Sequence, residues 1–124
     1  MFKIPTNLEV RFINEEIGAG VFTTIDISRG SLIETCYCLI LNNITLTHPA
    51  VDYVFSIDKK NNQLLAFGYG SIYNHDDHPN MICSYDPTNE NLIRFYAIKD
   101  IKANEELRHS YGKKYWKART SKII

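Results

Sequence analysis

Long apolar runs are missing from this 124-residue chain, and so is any surplus of charge of one sign. No stretch approaches the roughly 18–20 consecutive apolar residues of a membrane helix, so no bilayer span is expected. The opening Met1-Phe2-Lys3-Ile4-Pro5 lacks the apolar segment of a secretory leader; the expectation is a soluble, intracellular protein. Fourteen Lys and Arg balance fourteen Asp and Glu, which predicts neither a cationic groove for direct nucleic-acid contact nor a basic membrane patch. A basic protein partner would have to be met by a local acidic patch. Cysteine is scarce: Cys36, Cys38 and Cys83 cannot pair completely and form no C-x-x-C. Reduced thiols and no structural zinc follow. Repeats, low-complexity tracts and Pro/Ser-rich linkers are also lacking, so the chain is assigned one domain, residues 1–124. Its 44% hydrophobic share suffices for one core, since a chain of this size buries roughly two thirds of its unfolded surface.

What is present reads as strands. Leu8 to Ile13 alternates Leu8, Val10 and Phe12 with Glu9 and Arg11, the pattern of a half-buried strand. Leu32 to Leu41, Tyr53 to Ile57 and Leu64 to Phe67 are rich in β-branched and aromatic residues. In Asn91 to Ile98, Leu92, Phe95 and Ala97, or Ile93, Tyr96 and Ile98, supply the two faces. Gly18-Ala19-Gly20, Ser28-Arg29-Gly30, Asn42-Asn43, Asp58 to Asn62 and Asp86-Pro87-Thr88-Asn89 carry turn chemistry. No 3.6-residue apolar pattern persists beyond about two turns. Short helical pieces are expected only near 44–50 and 113–119. The class is mostly β, built of several small sheets, which excludes a dinucleotide-binding βαβ unit.

Three segments could carry chemistry. Gly18-Ala19-Gly20-Val21-Phe22 reads most simply as a tight hairpin turn, although paired glycines also allow another group to approach the backbone. Gly68-Tyr69-Gly70 leads into Tyr73-Asn74-His75-Asp76-Asp77-His78-Pro79-Asn80. Its His and Asp residues suggest a metal at first sight. Consecutive side chains of an extended loop diverge, however, and no H-E-x-x-H or C-x-x-C accompanies them, so no metal is assigned. A polar loop capping its own backbone is the plain alternative. Finally, Lys102 to Glu105 reads as a turn, and Leu107 to Tyr111 as a short strand ending in Tyr111-Gly112. Alone, that tyrosine is an ordinary core aromatic with a polar tip.

Together and in order, G-x-G-V-F, G-x-x-[FY]-N-H-x-x-x-P-N and E-E-[LI]-x-x-x-Y-G resemble the SET-domain family of protein-lysine methyltransferases. The likeness runs from about Val10 to Trp116, within an expected core of about 8–116. Shortness, and the lack of cysteine-rich flanking modules, make the chain similar to minimal, viral-type members. Asp52-Tyr53-Val54-Phe55-Ser56 and Tyr111-Gly112-Lys113-Lys114-Tyr115-Trp116 add to the comparison. The resemblance implies small β-sheets with short helices and a C-terminal, pseudoknot-like crossing of the Asn74-His75 and Tyr111 segments. It also implies S-adenosylmethionine as cofactor. Gly18, Ala19 and Gly20 would lie against its methionine and ribose parts, and Asn74 would bond its amino-acid end. His75 would meet the adenine edge largely through backbone, and Trp116 would pack on the adenine ring.

The implied reaction is displacement at a sulfonium methyl by a lysine nitrogen, which needs a free lone pair. Lysine, with a pKa of about 10.4, is protonated at neutral pH. Desolvation in an aromatic channel and the nearby sulfonium charge both favour its neutral form. Tyr111 is the implied catalytic residue, orienting the amine and accepting C–H···O contacts from the methyl group. Tyr53 and Tyr115 would be channel walls, with backbone carbonyls around Gly70–Ile72 as further acceptors. The substrate would be a lysine of a histone or other lysine-rich protein, and a viral or effector source would place the enzyme in a host nucleus. The tail from Lys113, or a second subunit in a homodimer, would close the channel. Ala19 stands where relatives carry an aromatic, Asp76 where serine is usual, and His109 at a position commonly apolar. These departures leave a catalytically weak, protein-binding SET module as the alternative.

Overall fold

Strands joined by polar turns account for every regular element among the residues that the structure, a computed structural model, describes: 3–42, 54–57 and 62–111. In chain order they are β1 (Leu8–Asn14), β2 (Gly18–Thr23), β3 (Leu32–Asn42), β4 (Val54–Ile57), β5 (Asn62–Ala66), β6 (Asn74–His75), β7 (Met81–Tyr85), β8 (Leu92–Ala97) and β9 (Glu106–His109). They form a four-stranded sheet in the order β1-β2-β9-β6 and a five-stranded sheet in the order β4-β5-β3-β8-β7. The expected helices near 44–50 and 113–119 fall outside the described residues. No helix among those described is long and apolar enough to cross a membrane.

Period-two burial builds the core. β8 turns Ile93, Phe95 and Ala97 inward, β3 contributes Cys36 and Cys38, and β9 contributes Leu107. Around them pack Val21, Leu64, Tyr73, Met81 and Ile101. Neither face expected for β8 is the buried one. Both expected sets mix odd and even positions, whereas successive strand residues point to opposite sides.

Three further expectations need correction. Gly18-Ala19-Gly20 is not the hairpin turn but the start of β2. The reversal lies at Glu15 to Ile17, closed by the Ile17 amide donating to Asn14 Oδ1 at 2.8 Å. Gly18 follows with a φ of 82°, a conformation glycine takes without strain. In β1, Leu8 is buried, but Val10 and Phe12 are 46% and 66% exposed. β1 is an edge strand with β2 as its neighbour in the sheet, so alternation there does not secure burial. The polar segment at Asn74-His75 is a strand rather than a loop, and β7 had no counterpart in the sequence reading.

The topology matters most where β6 meets β9. These pair in parallel, Asn74 opposite Arg108 and His75 opposite His109. Segments remote in sequence are thereby laid side by side, as the expected crossing requires. Asn80 locks the arrangement just before β7. Its amide donates to Arg108 O at 3.2 Å, its Nδ2 to Glu106 O at 2.8 Å, and its Oδ1 accepts the Arg108 amide at 3.0 Å. Asn80→Ala would strip two of these bonds and leave half-buried backbone groups unpaired, a loss of about 1–3 kcal/mol. Urea unfolding should show that loss, together with faster hydrogen exchange at the Arg108 amide. An unchanged midpoint would mean the clamp contributes nothing.

Candidate active site

Two polar residues could not hold a strand by burial alone, so β6 is fixed by what its side chains reach. Asn74 Nδ2 donates to Ala19 O at 3.1 Å and to Glu106 Oε2 at 2.7 Å. Both partners are acceptors, which settles which end of the amide is nitrogen. Glu106 Oε1 in turn accepts Arg108 Nε and Nη2 at 2.9 and 2.7 Å, and Arg108 Nη1 reaches Asp76 Oδ2 at 3.2 Å. Asp76 is held below the usual carboxylate range, chiefly by the His78 amide and then by Arg108. His75 and Asp77 are likewise engaged with each other, Nε2 to Oδ1 at 2.7 Å. The side chains of His75, Asp76 and Asp77 thus engage protein groups.

Gly20 is required by this network. A Cβ there would run into Glu106 Oε2 and lie 3.0 Å from Asn74 Nδ2 and 2.9 Å from Ile13 Cδ1. The glycine is what lets β2 close on β6 and β9. Gly18 differs, because a Cβ there would meet nothing within 4 Å. Ala19 takes part through its carbonyl, so the missing aromatic leaves that bond intact.

Tyr111 is gripped at both ends. Its amide donates to His75 Nδ1 at 2.9 Å, and its hydroxyl donates to Tyr73 O at 2.8 Å. An amide can only donate, so His75 Nδ1 is the acceptor and Nε2 carries the proton facing Asp77. The tyrosine hydroxyl has one proton, spent on Tyr73 O, so towards any further group its oxygen can act only as an acceptor. Asn74 follows the same rule, since engaging its amide hydrogens leaves Oδ1 as an acceptor.

These properties fit the expected cofactor. Asn74 Oδ1 is the complement of an α-ammonium group, and β2 offers backbone with open space at Gly18 rather than side chains. Asn74, His75 and Tyr111 are brought together, and Gly18, Ala19 and Gly20 join them along β2. Tyr53, Tyr115 and Trp116 lie outside the described residues. Sequence reasoning missed Glu106, Asn80 and Glu34. The first two stood inside the quoted motifs but served there only as spacing. Glu34 carried no signal beyond being a charge in an otherwise apolar strand.

His109 is 3% exposed and sits among aromatic rings. It stacks on Phe55 at 5.6 Å and meets Phe95 at 5.4 Å and Tyr111 at 5.2 Å between ring centres. Its Nε2 is buried without a hydrogen-bond partner among the described residues. Burial lowers its pKa from 6.5 to about 4, with a bond to the Ser110 backbone opposing. It fills its place in the core as a neutral ring.

Known proteins match the chain over most of its length. A family model described as SET domain matches residues 18–112. A Schizosaccharomyces pombe protein named histone-lysine N-methyltransferase, H3 lysine-37 specific, is 37% identical over 120 residues, covering 91% of this chain and 78% of that protein. A candidate histone methyltransferase of Plasmodium falciparum superposes with a TM-score of 0.71 at 31% identity, covering 91% of this chain and 99% of that one. KRYPTONITE, crystallised with mCHH DNA, an H3(1-15) peptide and SAH, shares the fold with a TM-score of 0.68 at 22% identity, over 89% of this chain and 24% of that one.

The buried histidine yields a pH prediction. Above pH 6.5 it is neutral in both folded and unfolded chains. Below that value the unfolded chain takes up a proton that the folded one refuses until about pH 4. Stability therefore falls on acidification through this window, by roughly 2–3 kcal/mol between pH 7.5 and 4.5. Urea midpoints measured for the wild type and His109→Phe should diverge accordingly, the variant gaining relative to the wild type as pH drops. Parallel curves would refute the neutral-histidine account.

Proposed function

The chain belongs to the SET-domain family and is an S-adenosylmethionine-dependent protein-lysine N-methyltransferase; from that premise we propose that Tyr111 is its catalytic residue and a histone lysine its substrate. The observation that carries the first claim is the Tyr111 hydroxyl, fixed by donation to Tyr73 O at 2.8 Å. With its proton committed, the oxygen acts as an acceptor. An acceptor is what the reaction centre needs, because the transferring methyl group and the amine hydrogens all present positive edges. The bound cofactor supplies an electrophilic methyl on a sulfonium. The protein's own task is to orient the nucleophile, and positioning of this kind contributes much of the rate in such a displacement.

Asn74 would hold the cofactor's amino-acid end through Oδ1, alongside the backbone of Gly18, Ala19 and Gly20. His75, its ring engaged by the Tyr111 amide and Asp77, would meet the adenine through its backbone. The two roles of the Asn-His pair are thus split: one side chain faces the cofactor, the other braces the catalytic tyrosine.

For the substrate, support comes from the fission-yeast relative, named for a lysine of histone H3, and from the H3 peptide in the KRYPTONITE complex. Balanced overall charge adds no general attraction for basic tails, so recognition would rest on local contacts.

Tritium transfer from labelled cofactor to histone H3 tests this directly. Tyr111→Phe should lose at least about a hundredfold in kcat while binding cofactor in calorimetry as the wild type does. Asn74→Ala should weaken cofactor binding itself by about tenfold, the loss of one charge-assisted hydrogen bond. Equal transfer by wild type and Tyr111→Phe would end the assignment of Tyr111.

A further inference from the structure

A buried carboxyl group lies one residue removed from the catalytic tyrosine and has no part in the account above. Glu34, on β3, is 4% exposed. Its Oε1 accepts the Tyr73 hydroxyl at 2.6 Å, and its Oε2 accepts the Tyr69 amide at 3.0 Å. Tyr73 is itself 1% exposed, its ring 4.7 Å from that of Phe95. The carbonyl of this same Tyr73 receives the Tyr111 hydroxyl. Two hydrogen bonds through one residue thus connect Glu34 to the reacting centre.

The sequence between is shaped to permit this. Gly68 has a φ of 83°, and a Cβ on it would collide with Glu34 Oε2. Gly70 is pressed equally close, since a Cβ there would lie 2.8 Å from both Ala66 Cβ and Cys36 Sγ. Bonds from the Ile72 and Tyr73 amides to Tyr69 O wind the segment into a turn. The turn sits directly on β3, pinned by the carboxyl group at its first and last tyrosines. Burial raises the Glu34 pKa, opposed by the hydrogen bonds from Tyr73, Tyr69 and Cys36. A carboxyl desolvated at such cost needs its partners, and those partners bound the turn that presents Tyr73 O.

We propose that Glu34 is a positioning residue for methyl transfer: by fixing Tyr73 through its hydroxyl and the Gly68–Tyr73 turn through the Tyr69 amide, it sets the place of the Tyr111 hydroxyl. The proposal rests on the assignment of Tyr111 as the catalytic residue. It assigns Glu34 no contact with substrate or cofactor. Cofactor binding is therefore left alone, because Asn74 is anchored to Ala19 and Glu106, outside this chain of bonds.

Tyr73→Phe removes the connecting hydroxyl and keeps the carbonyl. Its kcat on histone H3 should fall about ten- to a hundredfold, as expected for slight misplacement of a reacting group. KM for the histone and calorimetric affinity for the cofactor should stay within about twofold. Glu34→Gln can satisfy both partners by donating to the Tyr73 oxygen and accepting the Tyr69 amide, and should retain kcat within about threefold. Glu34→Leu should match Tyr73→Phe if it folds. In protein labelled with 13Cζ-tyrosine, the Tyr111 signal should move in Tyr73→Phe and stay in place in Glu34→Gln. A wild-type kcat in Tyr73→Phe, with only melting temperature reduced, would overturn the proposal and leave Tyr111 untouched. Full activity in Tyr111→Phe would instead overturn the assignment beneath it.

Discussion

The parallel pairing of β6 with β9 is the constraint on which the rest of the site depends. A two-residue polar strand buries little and cannot stabilise itself. Here its side chains and neighbours provide what burial does not: Asn74 bridges to β2 and Glu106, Asn80 clamps β9, and His75 accepts the Tyr111 amide. The contacts that make β6 a strand are the same contacts that bring Asn74 and Tyr111 into one site.

A single pattern of hydrogen-bond polarity runs through that site. Both amide hydrogens of Asn74 are engaged, the Tyr111 hydroxyl proton goes to Tyr73 O, and the His75 proton faces Asp77. At Asn74 and Tyr111 the donors are committed within the protein, so towards any further group their oxygens can act only as acceptors. A sulfonium, its ammonium group and a lysine side chain all present positive charge or polarised hydrogens, so acceptors are the useful remainder. Had Tyr73 O been turned away, the tyrosine proton would compete with the methyl group for the same space. The turn held by Glu34 and admitted by Gly68 prevents this.

The sequence disclosed the family of strands well where apolar residues are regular, as in Leu32 to Leu41. It misplaced faces where twist and edge position decide burial, as at Val10 and Phe12. β6 was illegible for a physical reason: its stability comes from partners far along the chain, and polarity of that kind leaves no periodic trace. The site was readable only through ordered motifs, which named Asn74, His75 and Tyr111 but not the bonds joining them. Gly20 illustrates the difference. The resemblance implied only that Gly20 lies against the cofactor; the structure adds that a Cβ there would collide with Glu106 and lie 3.0 Å from Asn74 Nδ2. Glu34 could not be found by spacing at all, since its partner tyrosines sit on another segment and one of them offers only a backbone amide.

The three departures from the family pattern weigh differently once they are placed. Ala19 contributes a carbonyl to Asn74, and a carbonyl is indifferent to the side chain it carries. Asp76 adds a carboxylate where the network already holds Arg108, and it gains both that cation and the His78 amide. His109 packs against the rings of Phe55, Phe95 and Tyr111 and is kept neutral by burial, so it sits in the core as an apolar residue would. None of them disturbs the acceptors at Asn74 and Tyr111. The Tyr111 hydroxyl stays 2.8 Å from the Tyr73 carbonyl, and the Glu34 carboxyl group stays beneath the turn that carries it. The desolvation of Glu34 runs against stability, a cost that the positioning role proposed for it would account for.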